Sequence, residues 1–171
     1  LKGVIRGRLN GAGGVDLVNQ QVRRIAPLSR DRLRTAYVRL DADAIDLTRP
    51  VAPGWRLAGT LEVRRGLDLF NASPNCLEGG CGAGVTGPSR FDGDPEGMSL
   101  RGMGEAEVSL GGNVSAMTRI SGQYGFDPLP SFEEFSAGNF TTGRGYAPAT
   151  IIGDSGLGVQ FELRGPRFDI G

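Results

Sequence analysis

The sequence predicts an all-β protein, an antiparallel transmembrane β-barrel, and three observations carry that reading. Apolar and polar residues alternate with a period of two in stretch after stretch, as a two-faced strand requires. Short turns such as Gly111-Gly112 alternate with long Gly/Pro/Asn-rich connections at 71–98 and 138–156. That is the loop arrangement of outer-membrane barrels. The polar faces carry charges of both signs, while the apolar faces include small residues that a tight water-soluble core would replace with Ile, Val or Phe.

The elements follow in order. The opening stretch sets Gly3, Ile5, Gly7 and Leu9 opposite Lys2, Arg6, Arg8 and Asn10. In DLVNQQVRRI, Leu17, Val18, Gln21, Val22 and Ile25 recur at helical spacing. The segment lacks caps and lies between strands, so a loop or irregular strand is expected there. Val38, Leu40, Ala42 and Ala44 oppose Arg39, Asp41 and Asp43. From Trp55 to Leu69, Trp55, Leu57, Leu61, Val63, Leu67 and Leu69 oppose Arg56, Thr60, Glu62, Arg64 and Asp68. Ala106, Val108 and Leu110 then face away from Glu105, Glu107 and Ser109. Val114, Ala116, Thr118, Ile120 and Tyr124 alternate with Ser115, Met117, Arg119, Ser121 and Gln123. Leu157, Val159, Phe161 and Leu163 alternate with Gly158, Gln160, Glu162 and Arg164.

Alternation alone fits a soluble sandwich with its apolar face inward, or a membrane barrel with that face on lipid. Strands of about ten residues or more suit a bilayer crossing. Both charge signs on the polar faces suit a lumen, and Gly7, Gly59, Ala106 and Ala116 on the apolar faces favour lipid over a close-packed core. No run of 18 apolar residues occurs, so no transmembrane helix is expected. The opening LKGVIRGRLNG carries no apolar leader segment.

Composition excludes much chemistry. The 171 residues suit one domain or part of one, and 19 Lys+Arg balance 19 Asp+Glu, which gives no electrostatic reason to expect nucleic acid. There is no histidine, so His-based triads and His-ligated metal sites are out. GDSG at Gly153–Gly156 resembles a serine-nucleophile turn but lacks a base, and reads as the turn opening the strand at Leu157. DGDPEG at 92–97 reads as a solvated acidic loop, because Met103 stands where a calcium loop needs its bidentate Glu. The glycine clusters lack a following Lys-Ser/Thr. Arg23-Arg24 and Arg64-Arg65 read as solvated or lumenal charge. Cys76 and Cys81, in NCLEGGC, are close enough to close a small loop. No metal, cofactor or catalytic residue is expected.

One constellation stands above this background. The long loop FSAGNFTTGRGYAPATIIGDSG carries Arg144-Gly145-Tyr146, and the closing GPRFDIG sets Phe168 and Ile170 opposite Arg167 and Asp169. On a lumenal face Asp169 is an inward carboxylate, and an arginine on a folded-in loop is its natural bidentate partner. On the residues alone, an exposed Arg144 and a solvated Asp169 are the favoured reading.

The second half adds context. Gln123, Asp127-Pro128-Leu129, Glu134-Phe135, Arg144-Gly145-Tyr146, Gly153-Asp154, Gly156 and Glu162-Leu163-Arg164 resemble, in order, the barrel of two-partner secretion transporters, the ShlB/FhaC/HecB haemolysin secretion/activation family. Phe168, Asp169 and Gly171 resemble its F-x-D-x-G motif. The segments LSRDRLRTAYVRLDADAIDL and WRLAGTLEVRRGLDLF also look like family strands. The resemblance implies a larger antiparallel barrel in the bacterial outer membrane, with no enzymatic activity. It would be a pore that secretes a partner exoprotein such as a haemolysin or adhesin by two-partner, type V secretion. Its partners are that exoprotein and the lipid bilayer. It further implies that the loop at 138–156 folds into the lumen and that Arg144 pairs with Asp169. Gly143 replaces the usual aliphatic residue, and Ala137-Gly138 the usual glycine pair. POTRA domains, the final strands and a terminal aromatic are absent from residues 1–171, so a barrel fragment of roughly seven to nine strands is expected. A barrel-assembly factor of the same superfamily and a soluble β-sandwich binding module are the alternatives.

Overall fold

A computed structural model describes residues 4–23, 27–48, 54–76, 81, 86–138, 147 and 149–165. Eight strands are present among them: β1 (Ile5–Arg23), β2 (Pro27–Asp46), β3 (Trp55–Gly66), β4 (Met98–Gly111), β5 (Val114–Gly125), β6 (Phe135–Ala137), β7 (Ile151–Gly153) and β8 (Gly156–Arg164). Six form one sheet in the order β1-β2-β3-β4-β5-β8, with every neighbouring pair antiparallel. The sheet is open, with β1 and β8 at its edges. β6 and β7 make a separate two-stranded hairpin.

Register carries the alternation across the sheet. Leu9 pairs with Ala42, Leu40 with Leu61, Val63 with Leu100, Leu100 with Tyr124, and Ile120 with Val159, so one apolar face runs unbroken from β1 to β8. This is the exposed face: Leu9 is 72% exposed, Val38 64% and Leu157 73%, whereas Arg64 on the opposite face is 9% exposed and Gln123 8%. A soluble sandwich reverses that distribution, because burying apolar area is what holds it together. An apolar exterior around a polar interior is the distribution of a transmembrane barrel.

Because neighbouring strands are antiparallel, β1–β2, β3–β4 and β5–β8 are joined at one end of the sheet, and β2–β3 and β4–β5 at the other. The tight end turns at Gly111, Gly112 and Asn113, all at positive φ (93°, 59° and 62°), which glycine and asparagine adopt at least cost. In outer-membrane barrels the long connections are extracellular.

Two boundaries differ from expectation. DLVNQQVRRI is regular strand in β1 through Val22, with a register shift only between Val22 and Arg23. Its helical spacing is overridden by pairing with the 20-residue β2, Asp16 opposite Thr35 and Gln20 opposite Asp31. The strand expected to run to Leu69 ends at Gly66. There the Gly66 amide donates to Gly97 O (3.0 Å) and that of Leu67 to Arg34 O (2.7 Å), turning the chain across the sheet end. A Cβ on Gly66 would overlap the Pro95 carbonyl, so the close approach requires glycine.

Candidate functional site in the lumen

The polar face is a charged surface assembled by register. Tyr37 lies opposite Arg64, Arg39 opposite Glu62, Glu62 opposite Arg101, and Arg101 opposite Gln123. Farther toward the tight end, Arg119 pairs with Glu105 at 2.5 Å and Thr60 Oγ1 donates to Asp41 at 2.7 Å. A groove of about 740 Å³ runs over this part of the face, lined by Asp41, Arg56, Glu105 and Arg119 and by Phe135 of β6.

Above the groove the chain closes on itself. Residues 126–134 leave β5 and return across the polar face, burying Leu129 to 1% exposure. Pro130 accepts from the Glu133 amide (2.8 Å), a turn that aims the Glu133 side chain at the sheet. Its carboxylate accepts from Arg64 Nε (2.9 Å), Arg64 Nη2 (3.1 Å) and Arg101 Nη2 (2.6 Å). Its main-chain carbonyl accepts from Arg101 Nη2 (2.8 Å) and Gln123 Nε2 (2.7 Å). Arg64 also holds Asp16 (2.8 Å) and Glu62 (3.1 Å) and lies 5.8 Å over the Tyr37 ring. Glu133 thus ties β3, β4 and β5 together through two guanidiniums and the Gln123 amide, and Arg64 extends the link to Asp16 of β1.

A second knot joins the two long loops. Arg90 grips both Asp154 oxygens (2.5 and 3.1 Å), Glu134 (2.8 Å) and the Leu129 carbonyl (2.9 Å), and reaches Asp92 (3.0 Å) at the solvent edge. Asp154 additionally accepts from the Leu129 amide at 2.9 Å. The hydrogen bonds from Arg90 hold the Asp154 carboxyl below its ordinary range, and do the same for Asp92. The same pairing, chiefly with Asp154, raises the Arg90 guanidinium further above its already high value. Cys76 and Cys81 are joined by a disulfide, their Cα atoms 5.0 Å apart, closing a small ring within the 67–97 loop.

The structure brings together Gln123, Leu129, Glu134, Phe135, Asp154 and Gly156, separate motif positions in the sequence. The Phe135 ring lies where a Cβ on Gly156 would be. Asp154-Ser155 form the bend before β8, the turn reading of GDSG. Arg144, Gly145, Tyr146, Phe168, Asp169 and Gly171 lie outside the described residues. Ala137 and Ile151 on either side of the long-loop segment are paired to each other in the β6–β7 hairpin. Sequence reasoning missed Arg90, Arg101 and Glu133 and read Arg64 only as solvated or lumenal charge. The available signal was parity: Arg64 and Arg101 fall on the polar faces, whereas Arg65 falls on the apolar one. Among the described residues no group of three or more His, Cys, Asp or Glu is placed to hold a metal ion.

A lipid-type exterior, a charged interior and a long loop folded onto that interior define a transmembrane β-barrel of the outer-membrane transport class. The family model of haemolysin secretion/activation proteins, ShlB/FhaC/HecB, matches residues 40–170. The chain belongs to that family, a family of outer-membrane transporters. No match to a curated protein or to a solved structure was found.

Proposed function

We propose that this barrel is the outer-membrane pore through which a partner exoprotein, of the haemolysin or adhesin type, is secreted in two-partner, type V fashion. Residues 1–171 are in this reading part of the barrel domain, and 138–156 is its lumen-folding loop. The observation that supports it best is Glu133, a loop residue held in the lumen by Arg64 and Arg101 of the wall. A loop fixed by hydrogen-bonded ion pairs, and not by the strand ladder, can leave without unzipping the barrel. The exoprotein would cross the polar face unfolded, passing both charge signs so that no single patch retains it.

In this reading Arg144 locks the loop onto Asp169, the pairing that the resemblance of Arg144-Gly145-Tyr146 and of Phe168, Asp169 and Gly171 to the family motifs implies. Replacing Arg144 with Ala in the full-length protein is expected to abolish secretion while heat-modifiable migration of the barrel stays normal. Unchanged secretion would remove that role. Failure of the wild-type protein to export any co-encoded exoprotein would overturn the transport reading itself.

A further inference from the structure

We infer that Arg64, Arg101 and Gln123 form a recognition site for an acidic residue of an extended polypeptide, and that Glu133 fills it at rest as a built-in surrogate. The inference rests on the transport reading and names what the lumen recognises. A simple strut would need only the carboxylate of Glu133. Here the main-chain carbonyl of the same residue is also held, by Arg101 at 2.8 Å and Gln123 at 2.7 Å. A carbonyl plus a carboxylate on one residue is the signature of a peptide carrying Asp or Glu, and two guanidiniums supply the fork geometry that distinguishes it from a neutral chain.

The site is also built to survive being emptied. Glu133 comes from the loop, whereas its three partners stand on β3, β4 and β5. With Glu133 withdrawn, Arg64 keeps Asp16 at 2.8 Å and Glu62 at 3.1 Å, and Arg101 keeps Gln123 Oε1 at 2.8 Å. Arg101 then has a guanidinium edge turned to the passage. Glu134, the next residue, binds Arg90 of the other long loop and not the wall. Displacing Glu133 therefore bears directly on the loop assembly above it. An acidic residue arriving from the groove would compete with Glu133 and help release the loop that blocks its path.

The test is ion conductance of the full-length protein in planar bilayers, with capped hexaglutamate or capped hexalysine as the probe. A surrogate that occupies the site about nine-tenths of the time lowers apparent peptide affinity about tenfold. Hexaglutamate is thus expected to block Glu133→Gln at roughly one-tenth of the concentration needed for wild type, and hexalysine to show no such gain. The gain should disappear in E133Q/R101Q. If that double variant fails to show heat-modifiable migration, E133Q/R101K takes its place and should lose most of the gain, since an ammonium lacks the fork. Equal block of wild type and E133Q, equal gain with hexalysine, or a gain that persists without Arg101 would overturn the site. Exoprotein secretion by wild type, scored in parallel, separates these outcomes from failure of the transport reading.

Discussion

Replacing Arg90 with Ala should undock the two long loops from each other and leave the sheet intact. Arg90 is 21% exposed in its side chain, and its inner partners Glu134 and Asp154 are 15% and 29% exposed, so both pairs are partly shielded from water. Asp92 is 71% exposed and contributes nothing of weight. Hydrogen bonds to charged groups contribute about 1.5–3 kcal/mol each, but two acceptors share one guanidinium and do not add fully. A loss of about 2–3 kcal/mol in loop docking follows, raising the undocked population roughly 30- to 150-fold. Amide hydrogen exchange reads this directly. The Leu129 amide donates to Asp154 Oδ1 at 2.9 Å and the Asp94 amide to Pro128 O at 2.7 Å, so both should exchange faster by that factor. Ladder amides of β4 and β5 should not change. Arg90→Lys should fall between, keeping the charge and losing the fork. Less than a threefold change at Leu129, or an equal rise throughout the sheet, would refute the reasoning.

Acid should release the same docking, but late. Because the folded-state Asp154 carboxyl is held below its ordinary range, its contribution is complete above the unfolded value of about 3.9 and is lost only as pH falls through the depressed one. Exchange at Leu129, corrected for intrinsic rate, should therefore be flat from neutral down to about pH 5 and rise only below about pH 4. A rise near neutral pH would contradict the assignment. Gly156→Val should displace the Phe135 ring and cost about 1–3 kcal/mol in loop or barrel stability by denaturant titration, with Phe135→Ala partly compensating. Equal, additive losses would show that the ring does not depend on that glycine. On the outer face, Val159→Arg should cost about 2–4 kcal/mol in a bilayer-based unfolding titration if the position lies near the midplane. A negligible cost would place β8 outside the hydrocarbon layer.

The sheet was legible because each strand writes its two faces into alternate letters, and parity survives the whole length of a strand. That is how Leu40, Leu61 and Ala106 could be placed on apolar faces before their pairing was visible. The family motif brought Gln123, Glu134 and Asp154 to notice as letters, without saying what they touch. Their meeting point was not legible. Arg64 and Glu133 are 69 residues apart, and contact between a loop and a wall has no periodicity to announce it. Arg90 was hidden for the same reason, since its Gly/Pro/Asn-rich loop carries no alternation. The segment from 16 to 23, expected as loop or irregular strand, is strand with a register shift between Val22 and Arg23. Leu17, Val18, Val22 and Ile25 imitate a helix locally, and only a 20-residue partner strand reveals that the pairing outweighs the imitation.

The inverted burial of the sheet changes what kind of sequence variation the chain tolerates. Leu9, Val38, Leu157 and Phe161 are exposed on the lipid-type outer face, so on that face side-chain volume is free while polarity is fixed. Across the sheet the constraint is reversed. Arg64, Arg101 and Gln123 sit where each charge and each donor is counted, with buried Leu33 and Leu129 lining the same small cavity as Arg64 and Glu133. Drift along the outer face should thus run freely among Leu, Val, Ile, Phe and Ala, and the inner face should change by paired exchanges that keep donors matched to acceptors. In a soluble β protein the same two rules apply to opposite faces.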